Sequence, residues 1–214
     1  MAGELKLYSY WRSSAAYRVR IALNLKGVEY ETVALNLPRG DHLLPGFGAT
    51  NPHRTIPVID DDGVVLMQSL AIIEYLDSRY PTPRLIPADS VERARVQAVA
   101  QIIACEIHPL NNLRVLKHLR AELGLDEERI KKWVQHWIHE SFRSLEALLA
   151  ESAGRYSFGD ELTIADVFLV PQMYNARRFE CDLGPFPTLV RVAETLRALP
   201  AFARAAPELQ PDAQ

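Results

Sequence analysis

Cysteine is scarce in this chain. Cys105 and Cys181 are the two present among 214 residues, and they lie far apart, so neither a disulfide framework nor a closely spaced zinc-ligand set can be built from them. Isolated cysteines of this kind are ordinarily small buried hydrophobes. Charge of one sign is equally scarce. The 24 Lys and Arg against 27 Asp and Glu leave a net charge of −3, which gives no general attraction to nucleic acid or to an anionic membrane. Apolar runs are all interrupted by charges well short of a bilayer span. The opening Met1-Ala2-Gly3-Glu4 has no basic region leading into an apolar one, and the expected location is the cytoplasm. No glycine-rich phosphate loop follows the first predicted strand, which removes the common nucleotide fingerprints. Basic residues are not interleaved with aromatics as in nucleic-acid binders. His136 and His139 lie three apart on a predicted helix but lack a third ligand, so no metal site is expected. Cys105 and His108 have the same spacing and no evident orienting group.

What is present is an ordinary globular composition, 48% hydrophobic and 24% charged, with enough apolar material for a sizeable core. The length suits one large domain or two unequal ones. The chain is organised around residues 5–27. Residues 5–10 alternate and are rich in β-formers, while Val19, Ala22, Leu23 and Leu25 fall near helical spacing and Gly27 is a suitable helix stop. Between the two elements sits Arg12-Ser13-Ser14. A serine at a helix start satisfies free N–H groups, and the same groups, with the helix dipole, favour an anion such as a thiolate or carboxylate. The alternative is that Ser13 or Ser14 is a cap and nothing more. Arg12, Arg18 and Arg20 crowd this turn, and three arginines exceed what a cap requires.

A second strand is predicted over residues 29–34, giving strand, helix and strand with a crossover long enough for parallel pairing. Residues 37–55, heavy in Gly and Pro, predict a long irregular loop with one helical turn. Two further strands, 56–60 and 64–67, flank the turn signal Asp61-Asp62-Gly63. Pro57 fits a strand start that needs no ladder donor, with the rarer cis bond as the sharper alternative. Residues 68–80 predict a helix with Gln68 and Ser69 at its N-terminus, a second potential anion site or simply a second cap.

Residues 81–87 contain three prolines and read as a linker. Beyond them no strand is predicted. A long helix over 91–119 should break or kink at Pro109, and another spans 126–151 with a broad apolar stripe. Thr163 and Asp166 form a capping-box variant, with Leu162 and Val167 as its hydrophobic staple. A last helix covers 188–199, followed by a tail expected to fray. The chain therefore divides into an N-terminal α/β domain, 1–83, and an all-helical domain, 88–214. On the helical part, His108, Asn112 and Arg114, with the run Asn175-Ala176-Arg177-Arg178-Phe179, make a second polar cluster. It is either a solvated face or one side of a cleft.

Taken in order, Tyr8-Ser9-Tyr10-Trp11-Arg12-Ser13-Ser14, Arg18-Val19-Arg20-Ile21-Ala22-Leu23, the run from Gln68-Ser69-Leu70 to Tyr75-Leu76, Val170-Pro171-Gln172 and Arg178-Phe179 closely resemble the zeta-class glutathione transferases, which include maleylacetoacetate and maleylpyruvate isomerases. The resemblance spans nearly the whole length. It implies a thioredoxin-like α/β N-terminal domain, an all-α C-terminal domain, a homodimer, and glutathione as cofactor in a cleft. By matching position, Ser13 resembles the hydroxyl that bonds the glutathione sulfur, with Ser14 beside it. Pro57 resembles the family's cis-proline, with Ile56 offering main-chain bonds. Gln68 and Ser69 resemble the pair that holds the γ-glutamyl carboxylate, and His108 and Asn112 fall where the family has polar contacts from the second domain, with Arg114 and His108 expected to assist there.

The implied reaction is cis-to-trans isomerisation of a maleyl dicarboxylate to its fumaryl isomer, in tyrosine and phenylalanine breakdown or in gentisate degradation. Arg12 and Arg178 are the expected grips for a doubly anionic substrate, since a guanidinium matches a carboxylate. The alternative within the family is a general transferase that conjugates electrophiles. One departure stands out: the family commonly has Ser-Ser-Cys where this chain has Ser13-Ser14-Ala15. That places in doubt side reactions needing a protein thiol, but not isomerisation.

Overall fold

The computed structural model describes residues 5–214; residues 1–4, read above for the absence of a leader, lie outside them. Two compact units are present, one running as far as Arg84 and completed by Leu199–Gln214, the other spanning Leu85–Ala198. The sequence places residues 199–214 in the helical domain, and the structure places them in the first unit. Their hydrogen bonds go there: Arg20 Nε donates to the Ala205 carbonyl at 3.0 Å, Asn24 Nδ2 to the Ala201 carbonyl at 2.9 Å, and the Trp11 N–H to Asp212 Oδ2 at 2.9 Å. A polar tail that satisfies buried donors does not fray.

The first unit is α/β. Strands β1 (Leu5–Ser9), β2 (Glu31–Ala34), β3 (Val58–Asp61) and β4 (Val64–Met67) form one sheet in the order β2-β1-β3-β4. β1 and β2 are parallel, and the other pairings are antiparallel. Helix α1 (Ser14–Lys26) supplies the crossover and ends at Gly27, whose φ of 65° suits a residue without Cβ. The hairpin between β3 and β4 turns on Asp62 and Gly63, both at positive φ, as the Asp-Gly pair anticipates. The loop after β2 holds a 3₁₀ turn, Asp41–Leu43, and the short helix α2 (Pro45–Thr50). Helix α3 (Ser69–Arg79) packs on α1. Leu7, Val19, Ile21, Leu23, Val58, Ile59, Ile72, Ile73 and Leu76 are all sealed from solvent. Lys26 Nζ meets Asp77 Oδ1 at 2.6 Å with both side chains buried, tying α1 to α3.

The second unit is all-helical: α4 (Ser90–Gln101), a π-helical turn at Ile102–Ile107, α5 (Leu113–Leu123), α6 (Glu127–Ser152), α7 (Ile164–Arg178) and α8 (Pro187–Arg197). The predicted long helix does break near Pro109, and it first widens into the π turn. In the tail of the first unit lie α9 (Pro200–Arg204) and a 3₁₀ turn at Pro207–Leu209. Helix α7 is buried without interruption from Ile164 to Met173 and packs against α4 and α8. Its capping box is present: the Asp166 carboxylate accepts from the Thr163 N–H at 2.8 Å and from the Ser157 N–H at 2.9 Å. Among the described residues no helix is long and apolar enough to cross a membrane.

Candidate active site

Three segments meet at one end of the sheet. Tyr8 near the end of β1 pairs with Val58 at the start of β3, and Val58 pairs with Met67 at the end of β4. The residues just beyond this row are Ser13 and Ser14 after β1, Ile56 and Pro57 before β3, and Gln68 and Ser69 after β4. Three of the sequence-predicted groups thus follow or precede neighbouring strand ends at one end of the sheet.

Ser13 is the N-cap of α1. Its backbone is extended, and its Oγ accepts from the Ala16 N–H at 3.2 Å. Accepting in this way leaves the hydroxyl proton free to be donated outward, so the cap and the anion-site readings are compatible. Ser14 opens the helix, and no acidic residue lies in the first turn. The Ile56–Pro57 bond is cis. The ladder begins at Val58, so the Ile56 main chain lies outside the sheet pairing.

Gln68 is non-glycine with φ of 71°, and its side chain makes no capping bond to α3. Such a conformation costs about 1–3 kcal/mol and persists where neighbouring structure enforces it, often at functional positions. Nothing in the one-dimensional pattern signals this strain. Ser69 is buried at the first turn of α3, and its Oγ accepts from Arg18 Nη1 at 3.3 Å.

The three arginines of the opening motif separate into different roles. Arg18 and Arg20 are buried. The Arg20 guanidinium is consumed by Ser9 Oγ at 3.2 Å, the Trp11 carbonyl at 3.0 Å and the Ala205 carbonyl; burial lowers its pKa to about 10, and it stays charged at neutral pH. Crowding in sequence is therefore resolved into separate surroundings for the three side chains. Arg12 alone is exposed, with its guanidinium 5.1 Å from the centre of the Trp11 ring.

In the helical unit, His108 follows the π turn, its N–H reaching the Ile103 carbonyl at 3.0 Å. Asn112 is the N-cap of α5, with Oδ1 accepting from the Arg114 N–H at 3.1 Å, and Arg114 is exposed. Asn111, which no local pattern singles out, is buried and its amide atoms have no hydrogen-bond partner among the described residues. Arg178 is exposed at the end of α7; Asn175 Oδ1 accepts from its Nη2 at 3.0 Å, and its guanidinium lies 4.5 Å from the Phe179 ring centre. Asn175 and Phe179 hold the guanidinium from two sides.

Among the described residues no cluster of His, Cys, Asp and Glu is arranged to hold a metal ion. Cys105 is exposed and Cys181 buried, so the expectation of two buried thiols fails for Cys105, which the π turn directs outward. Burial pushes the Cys181 thiol up to about 11. A chromogenic disulfide reagent at pH 8 is therefore expected to titrate one thiol rapidly in the folded protein and the second only in denaturant. Cys105→Ser should abolish the rapid phase.

Comparison with known proteins agrees with this geometry. Residues 7–84 match the family model of the glutathione S-transferase N-terminal domain and residues 116–204 that of the C-terminal domain. A probable maleylacetoacetate isomerase of Vibrio cholerae is 54% identical over 211 residues, covering 98% of each chain. The holo structure of a maleyl pyruvate isomerase, described as a bacterial zeta-class glutathione S-transferase, is 51% identical, with a TM-score of 0.96 over 98% of this chain and 100% of its own. A maleylacetoacetate isomerase of Anaeromyxobacter dehalogenans, crystallised with dicarboxyethyl glutathione and citrate in its active site, is 43% identical, with a TM-score of 0.88 over 100% of this chain and 99% of its own. The α/β half with an all-helical partner, the matched domain models and the full-length identities agree: the chain belongs to the glutathione S-transferase family and, within it, to the zeta class.

Proposed function

We propose that this protein is a glutathione-dependent cis–trans isomerase that converts a maleyl dicarboxylate, maleylacetoacetate or maleylpyruvate, to its fumaryl isomer. The observation that carries the reading is the meeting of Ser13, Ile56–Pro57 and Gln68–Ser69 at one end of the sheet. These residues fit the tripeptide: a hydroxyl with a free proton at a helix start, a main chain outside the ladder, and a second helix start with an uncommitted Gln68 side chain. Bound glutathione would supply a thiolate nucleophile for reversible addition to the conjugated double bond, with the charge passing to the conjugated carbonyl oxygen and returning as the thiolate is expelled.

The work of the chain's own residues is electrostatic. Ser13 donates its hydroxyl proton to the sulfur, and with the N-terminal field of α1 this raises the thiolate fraction at neutral pH. Ile56 holds the cysteinyl backbone, while Gln68 and Ser69 hold the γ-glutamyl carboxylate. Arg12 and Arg178 take the substrate's carboxylates, with His108, Asn112 and Arg114 as further polar contacts. The Anaeromyxobacter isomerase holds dicarboxyethyl glutathione in its active site, glutathione carrying a two-carbon group with two carboxylates, which supports a dicarboxylate as the substrate class here. Alanine at position 15 leaves this scheme intact, because the nucleophilic sulfur is not the protein's. The reading extends to a cytoplasmic homodimer serving tyrosine and phenylalanine breakdown for the first substrate or gentisate degradation for the second.

The test is a coupled assay with each maleyl substrate, with and without glutathione. Turnover is expected to need glutathione and to leave its concentration unchanged; stoichiometric consumption would identify a conjugating transferase instead. Arg178→Ala is expected to raise KM for the maleyl substrate about 10- to 100-fold, the worth of one charged hydrogen-bonded contact, with glutathione affinity within about twofold of wild type. Equal loss of both would remove Arg178 from the substrate site.

A further inference from the structure

The C-terminal segment is fastened to the turn that presents Ser13. The Trp11 N–H donates to Asp212 Oδ2 at 2.9 Å. The Trp11 carbonyl accepts from Arg20 Nη2 at 3.0 Å, and the same guanidinium is held from the tail by the Ala205 carbonyl at 3.0 Å. Both main-chain polar groups of Trp11 are thus fixed by the last sixteen residues, one directly and one through a buried arginine. Trp11 lies two positions before Ser13, in the turn closed by the Ser13 N–H to the Tyr10 carbonyl at 2.9 Å, and its ring lies against the Arg12 guanidinium. β1 ends at Ser9, so no sheet bond secures this turn, and short turns without ladder bonds belong to the readily opened parts of a fold.

We propose that Asp212 is a positioning residue for catalysis: its carboxylate, by holding the Trp11 N–H, sets the turn that aims the Ser13 hydroxyl and the Arg12 guanidinium. A carboxylate suits the task, because a bond to an ionised acceptor is shorter and about twice as strong as a neutral one. Water at the same N–H would leave the turn free to sample other conformations. The inference rests on the proposed function only in taking the turn as the thiol site.

The experiment titrates the ultraviolet thiolate band of bound glutathione in wild type, Asp212→Ala and Asp212→Asn, with melting temperature, isomerase kinetics and hydrogen exchange of the 10–17 peptide alongside. Asp212→Ala is expected to raise the thiolate midpoint by about half to one pH unit, as weaker hydrogen bonding to an anion does. It should also lower kcat/KM at pH 7 about three- to tenfold and speed exchange in the 10–17 peptide. Asp212→Asn, whose amide oxygen still accepts from Trp11, should recover most of each. Asp212→Ser, too short to reach, gives the same reading should the alanine variant fail to fold.

An unchanged midpoint in the alanine or serine variant overturns the proposal. So does a loss that Asp212→Asn does not rescue, or one that only follows melting temperature. The titration needs no isomerase substrate. A wild type that forms the thiolate yet isomerises neither maleyl compound would sink the proposed function and leave this inference to be decided on its own.

Discussion

Ser13→Ala is expected to lower kcat/KM for the maleyl substrate about 10²- to 10³-fold, the usual cost of removing one donor aimed at a developing or resident anion. The hydroxyl has two duties here, and they separate in measurement. As N-cap it accepts from the Ala16 N–H, a role worth about 1 kcal/mol, so the melting temperature should fall by only about 2–4 °C for a chain of this size. In its proposed role as donor to sulfur it would set the thiolate fraction, so the remaining activity should climb with pH beyond the wild-type plateau. Ser13→Thr keeps both duties and should retain most of the rate. Ser14→Ala, which removes a hydroxyl from the first helical residue rather than the cap, should cost less than tenfold. If Ser13→Ala changed rate and melting temperature only in proportion, with no movement of the pH profile, the hydroxyl would be a cap and the sulfur would be activated elsewhere.

Much of this fold was legible in the chain, and the reasons are local. The strand-to-helix switch at Ser13, the Asp62-Gly63 hairpin, the break near Pro109 and the Thr163–Asp166 box all follow from short-range preferences that act within a few residues. The strain at Gln68 was not legible, because a glutamine at positive φ is imposed by packing against the local preference. The arginines show the same limit. Arg18 and Arg20 occupy a helix that is buried on nearly all sides, and their guanidinium groups reach Ser69 Oγ and the Ser9, Trp11 and Ala205 acceptors. Sequence spacing places three guanidinium groups in one motif. Burial decides that one of them faces outward. The tail was misread for a related reason: Asp212 and Ala205 find partners about 185–200 positions away, beyond the reach of any local pattern.

Asp166→Ala is expected to be the most destabilising of the substitutions considered, by about 3–5 kcal/mol. Its carboxylate is sealed from solvent and divides its oxygens between the Thr163 and Ser157 N–H groups, joining the start of α7 to the turn that follows α6. Burial raises the carboxyl's pKa, and hydrogen bonds from the side chains and N–H groups of Ser157 and Thr163 only partly offset it. Alanine would leave both donors unmet inside the protein, and each buried donor without an acceptor costs about 1–3 kcal/mol. Asparagine offers one oxygen and one NH2 where two acceptors are needed, so one N–H is met and the other faces a donor. Asp166→Asn should therefore fall between wild type and alanine, at about 2–3 kcal/mol. Chemical denaturation with kinetics on the surviving folded fraction is the decisive measurement. Because Asp166 lies at the opposite end of α7 from Arg178, the folded fraction of either variant should bind glutathione and turn over substrate within about threefold of wild type, a difference below 1 kcal/mol. Full stability with lost turnover would instead assign Asp166 to the chemistry.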